Sequence, residues 1–166
     1  MESQIQRFYQ KFKENPIVWG SYYCNRHFTL PFADFHLQLM VEALRNRHLA
    51  VAAPRGSSKS TLLTFLRPLH AICFDLEPFI VIVSNTYQKA AMSLENMKKE
   101  LRENEALISD YGVKIRRDAE GDSIFVSRAG NEIRVLCKGA EQIGSIRGEK
   151  FGPWRLTLIL GDDIED

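Results

Sequence analysis

The chain has 166 residues, 45% of them hydrophobic, enough to bury a sizeable core but too few for two full domains. A net charge of +1 excludes a whole-chain electrostatic grip on a polyanion and leaves that task to local patches. No apolar run approaches the ~20 residues of a membrane span, the N-terminus has no signal-peptide pattern, and three cysteines without framework spacing point to a reducing compartment, the cytoplasm.

In chain order, Ser3 is placed to cap a helix carrying Ile5, Phe8, Tyr9 and Phe12, stopped before Asn15-Pro16. Residues 16–32 are aromatic and aperiodic, so 1–32 reads as a packing arm and connection, and 33–166 as the core. A helix is expected from about Phe35 to Arg45, with Leu39 and Leu44 inward. Leu49-Ala50-Val51-Ala52 then predicts a short buried strand.

Directly after it, Ala53-Pro54-Arg55-Gly56-Ser57-Ser58-Lys59-Ser60-Thr61 reads as a phosphate-binding loop leading into a helix. Such a loop needs backbone N–H groups converging on a polyanion, a lysine for the β and γ phosphates, and a hydroxyl for Mg²⁺. Lys59 and Ser60 supply the last two. Against the spacing G-x-x-x-x-G-K-[ST], Ala53 and Ser58 stand at the glycine positions and Gly56 lies inside the loop. The alternative reading is a basic turn that only caps a helix.

The following helix is predicted from about Ser58 to Phe74, kinked or broken near Pro68. A strand from Phe79 to Val83 leads to a long helix capped by Asn85 or Thr86, with Ala90, Leu94, Met97 and Leu101 on one face. Val113–Arg116, Ser123–Val126 and Glu132–Leu136, punctuated by Gly121-Asp122 and Gly130-Asn131, predict an antiparallel excursion. Leu156-Thr157-Leu158-Ile159-Leu160 is an apolar strand delivering Gly161-Asp162-Asp163-Ile164-Glu165-Asp166. Carboxylates at a strand's C-terminal end suit a nucleotide's metal: Asp162 would hold Mg²⁺, and Asp163 or Glu165 would polarise the attacking water. Lysine and metal together would neutralise charge developing on the phosphates during in-line attack.

The alternation of apolar strands and helices predicts an α/β fold of the P-loop NTPase kind. Its sheet should be mostly parallel, sandwiched by helices, with nucleotide at the strands' C-terminal ends. Arg45/Arg47/His48, Lys98/Lys99/Arg102 and Lys114/Arg116/Arg117 are candidate phosphate contacts or ordinary solvated faces. Cys24-x-x-His27 with His70-x-x-Cys73 has the ligand types of a zinc site, although His70 and Cys73 also suit a buried helix.

Four stretches together resemble the large terminase subunit of tailed bacteriophages, the ATP-driven motor that packages DNA into procapsids. That family's Walker A often lacks its full glycine set and carries an arginine four residues before the lysine, where Arg55 stands. Phe35-His36 resembles the aromatic-polar pair that helps seat adenine, although family members often carry glutamine where His36 stands. Ile80–Val83 with Ser84-Asn85-Thr86-Tyr87-Gln88-Lys89-Ala90 is similar to the family's strand, polar turn and long helix. Gly144-Ser145-Ile146-Arg147-Gly148, followed by Trp154-Arg155, is similar to its approach to the Walker B strand.

The likeness covers about residues 30–166. It implies ATP and Mg²⁺ as cofactors, double-stranded DNA as partner, and no membrane. In the full-length protein it implies the portal and small terminase subunit as further partners, a homo-oligomeric ring, and the host cytoplasm as location. Arg55 is expected to contact the γ phosphate, and Arg147 to act on a neighbouring subunit's nucleotide or on DNA. A family member continues past its Walker B with a coupling segment and a metal-dependent nuclease domain, so no DNA cleavage is expected of these residues. Another P-loop ATPase of helicase-like type, and a nucleotide-binding lobe without turnover, remain the competing readings.

Overall fold

The computed structural model describes residues 4–28, 30–46 and 48–164, which leaves Ser3, Arg47 and Glu165 outside the described residues. The chain divides into two compact units, Met1–His70 and Ala71–Asp166.

The first unit is helical. Helix α1 (Gln4–Glu14) is followed at once by α2 (Pro16–Tyr23), where Asn15 Oδ1 accepts the Val18 N–H at 3.1 Å and Pro16 opens the first turn. The side-chain cap and a residue that needs no N–H partner explain why one helix stops and the next starts there. A 3₁₀ turn (Asn25–His27) leads on to α3 (Asp34–Arg45). Trp19 is wholly buried, and Gly20 beside it permits a close approach, since a Cβ at that position would lie 2.6 Å from Leu66 Cδ1.

Two expectations for this unit are corrected. Residues 49–52 form no strand, and Leu49 is 42% exposed, so the predicted buried strand before the loop is absent. An apolar run of four residues becomes a strand only where a ladder supplies its backbone partners, and the described sheet does not include it. Nor does the helix after the loop break at Pro68. It is helical from Lys59, widens into a π segment (Thr61–Leu66), and continues as α4 (Arg67–Cys73). The Arg67 N–H bonds the Leu62 carbonyl, one residue further back than an α-helix would use. Proline lacks an N–H and its ring collides with the carbonyl four residues back. The wider turn just ahead of Pro68 is where that irregularity can be absorbed without a break.

The second unit is built on a five-stranded sheet in the order β2-β3-β4-β1-β7. The strands are β1 (Phe79–Ser84), β2 (Lys114–Arg117), β3 (Asp122–Val126), β4 (Glu132–Gly139) and β7 (Leu158–Asp162). The short strands β5 (Lys150–Phe151) and β6 (Trp154–Arg155) pair separately as a hairpin. β4, β1 and β7 run parallel, whereas β2-β3 and β3-β4 pair antiparallel. The sheet is therefore mixed, not mostly parallel, because β4 closes the antiparallel excursion and also pairs with β1 along the latter's whole length.

Every residue of β1 is buried, as a central strand covered on both faces requires. Phe79, Val81, Val83, Leu136 and Ile146 form a core cluster, with Phe151 and Leu156 packed against it. Helix α5 (Tyr87–Glu103) buries Ala90, Leu94, Met97 and Leu101 on one face, and Thr86 Oγ1 caps it by accepting the Lys89 N–H at 3.4 Å. Asn104 caps α6 (Glu105–Tyr111), which ends at Gly112 in the left-handed region. Cys137 Sγ donates to the Ala90 carbonyl at 3.3 Å, and burial pushes its thiol up to about 12, which makes it a core residue and not a nucleophile.

Gly121 turns the chain into β3 at φ +66°, and a Cβ there would lie 2.3 Å from Tyr87 Oη. Gly121→Ala should therefore cost about 2 kcal/mol, the sum of a left-handed alanine and a displaced tyrosine ring. Urea unfolding of the variant reads this directly, and an unchanged midpoint would show that Tyr87 moves aside freely. Among the described residues, no helix is long and apolar enough to cross a membrane.

Candidate functional site

The candidate loop lies in the first unit. Gly56 has φ +79° and nothing within 4 Å of a notional Cβ, so its backbone is open to approach. Ser58, at the second glycine position of the motif, adopts φ +57°, a conformation that serine rarely takes. Ser57 N–H closes a turn onto the Pro54 carbonyl at 3.4 Å, and Leu62 N–H bonds the Ser58 carbonyl at 3.0 Å, beginning the helix. Lys59 Nζ folds back to donate to the carbonyl of Ala53, the first loop residue, so the lysine spans the loop from end to end.

Arg55 and Ser60 are exposed and Thr61 half-buried. Ser57 Oγ is buried and makes no hydrogen bond. These side chains fit a triphosphate with its metal. Lys59 and the loop N–H groups would take phosphate oxygens, and Ser60 would take Mg²⁺, which supplies charge neutralisation when bound.

Helix α3 reaches the same loop through His36. Its Nδ1 accepts the Ala33 N–H at 3.0 Å, which puts the ring proton on Nε2 and makes that atom the donor to the Ser57 carbonyl, also at 3.0 Å. The imidazole thus braces loop and helix start together. Phe35, 42% exposed, lies against it with ring centroids 3.9 Å apart, and Phe32 meets it edge-on at 5.8 Å. The resemblance implied a role for Phe35 and His36 in seating adenine. It gave no signal for the brace, because a contact spanning 21 residues has no local pattern.

The acidic strand end lies in the second unit, at the C-terminal edge of the parallel strands. Asp162 ends β7 in register with Ser84 of β1, whose Oγ donates to the Asp162 carbonyl at 3.1 Å, and its side chain is half-buried. Asp163 turns the chain at φ +50° and is exposed, with Oδ2 3.8 Å from Lys89 Nζ on the first turn of α5. Asn85, between β1 and α5, has a buried Oδ1 without a hydrogen bond. An open carboxylate, an unpaired amide oxygen and a lysine at the strands' C-terminal ends form the kind of polar edge at which parallel sheets bind ligands.

The basic runs separate. Lys98 is buried and ion-paired with Glu95 and Asp118, Arg116 pairs with Glu132, and Arg117 with Asp122, so none of these is a free phosphate contact. Arg45 instead joins Arg7 and Lys11 around an open groove of about 520 Å³. Arg147 is exposed after a 3₁₀ segment (Ala140–Ile146), next to Gly148 at φ +93°. His70 Nε2 donates to the Phe12 carbonyl at 3.0 Å, and among the described residues no group of three or more His, Cys, Asp or Glu could hold a metal ion. Comparison with protein-family models, with curated proteins and with solved structures gives no match.

Proposed function

We propose that the chain binds a nucleoside triphosphate with Mg²⁺ at residues 53–61, as the ATPase region of a DNA-packaging motor of the large terminase type with a P-loop NTPase fold. The observation that carries the binding reading is the loop itself: Lys59 turned back across it onto Ala53, at the start of a helix, with Gly56 and Ser58 in left-handed conformations. A basic turn that only capped a helix would need neither the lysine's inward bond nor a strained serine. The resemblance implies Asp162 as the metal carboxylate and Asp163 or Glu165 as the water-polarising one. Arg55 would contact the γ phosphate, as the resemblance implies, and ring assembly on double-stranded DNA belongs to the same proposal.

One observation favours the reading of a lobe that binds without turnover. Asp163 faces Lys89, and a carboxylate neutralised by an ammonium is a poorer partner for water. Phosphate release separates the two. With MgATP and double-stranded DNA the motor reading expects release that Asp163→Asn lowers by about 100-fold or more, within the range for a removed general base. Binding with no release in the native chain would assign it to the inert lobe.

A further inference from the structure

We infer that a groove of about 650 Å³ in the second unit, where the β5-β6 hairpin meets the segments entering β1 and β4, takes an arginine side chain presented by a partner polypeptide. The inference is independent of the nucleotide reading. β1 and β4 run parallel, with Phe79 in register with Arg134, so the segments leading into them open at one end of the sheet. Asp162 lies at the other end, in register with Ser84. Three carboxylates line the groove, Asp75, Glu77 and Glu132, and among the described residues no lysine, arginine or histidine lines it. Glu132 is paired with Arg116. Asp75 is held by neutral donors: its Oδ2 accepts from the Ser127 hydroxyl at 3.2 Å and from the Asn131 side-chain amide, which orients the carboxylate and leaves its charge uncompensated.

The rest of the lining is largely apolar. Trp154 follows the hairpin turn at Gly152-Pro153, pairs with Phe151 through the backbone, and is 50% exposed, so an indole borders the same groove as the Asp75 carboxylate. An aromatic face beside an uncompensated carboxylate suits a flat cation. A guanidinium stacks on indole and donates to a carboxylate at once, and it gives up its water more readily than an ammonium does. The other occupants fit less well. An anion meets three like charges, and a neutral apolar ligand would strip water from Asp75 without replacing it. Among the described residues no group of three or more His, Cys, Asp or Glu could hold a metal ion. Free arginine would bring its α-carboxylate into the acidic lining, whereas an arginine within a peptide does not, and the groove has the volume of a site for a whole small ligand.

The test is an NMR titration of the whole ¹⁵N-labelled chain with acetyl-Gly-Arg-Gly amide, and with the same peptide carrying citrulline, which keeps the shape and removes the charge. The arginine peptide should shift the Trp154 indole N–H and the amides of residues 75–77 saturably, while the indole of Trp19, wholly buried in the first unit, stays still. The citrulline peptide should bind at least about tenfold more weakly. Equal binding of the two, shifts centred elsewhere, or none at millimolar peptide would overturn the inference. So would a lysine peptide that binds as tightly as the arginine one. Trp154→Ala, at an exposed position that spares the fold, should weaken the arginine peptide by about tenfold as read at the amides of residues 75–77, and an unchanged affinity would also overturn it.

Discussion

Lys59→Ala is expected to weaken MgATP binding by about 10- to 100-fold, the equivalent of one charge-assisted hydrogen bond worth about 1.5–3 kcal/mol. The reason lies in where the ammonium already sits. Lys59 Nζ donates to the Ala53 carbonyl at the opposite end of the loop, so the charge is held inside the loop where phosphate oxygens would converge. Alanine removes both the charge and the bond that closes the loop. The helix starting at Lys59 is held separately, by the Leu62 N–H to the Ser58 carbonyl, so the far-ultraviolet circular dichroism of the variant should match the native chain. Calorimetry on the matched pair makes the comparison. Equal affinity would place the nucleotide elsewhere.

A second large effect is expected on acidification. His70 is fully buried, its Nε2 bonded to the Phe12 carbonyl and its ring edge-on to Trp19 at 5.3 Å. Burial lowers it from 6.5 to about 4, the Phe12 hydrogen bond works in the opposite direction, and Arg67 and Lys13 press it further down. The folded chain therefore takes up this proton less readily than the unfolded one. The stabilisation is complete above the unfolded value of 6.5 and falls as the pH drops through the window to about 4, below which it levels off. At 1.36 kcal/mol per unit the loss amounts to about 3 kcal/mol. Urea unfolding across that window should show the decline, and His70→Phe should flatten it. An identical slope in the variant would assign the acid sensitivity to other groups.

Much of the second unit could be read from the chain because its signals are local. Phe79–Ser84 is apolar almost without interruption, as a strand buried on both faces must be, and the face of α5 repeats at helical spacing. Gly121 and Gly130 mark the turns of the antiparallel strands by their positive φ. What escaped the sequence is nonlocal. That β4 pairs antiparallel on one edge and parallel on the other follows from which strand lies beside it, which its own residues do not encode. Leu49–Ala52 has strand-like composition, but composition cannot supply a ladder partner.

The candidate site divides in the same way. The loop residues and the Asp162-Asp163 pair were legible as types at fixed spacing. The His36 brace, the orphan hydroxyl of Ser57 and the Lys89–Asp163 pairing arise only when separate segments meet. The π segment before Pro68 belongs with these. A proline announces an irregularity, but packing decides whether the helix breaks or widens.

The most direct test is an NMR titration of the ¹⁵N-labelled chain with MgATP, following the backbone amides. The largest shifts should fall on residues 53–61, whose N–H groups would meet the phosphates, with smaller ones at Phe35 and His36. Shifts centred elsewhere, for instance around the groove lined by Asp75, Phe151 and Trp154, or no shifts at millimolar nucleotide, would contradict nucleotide binding at this loop.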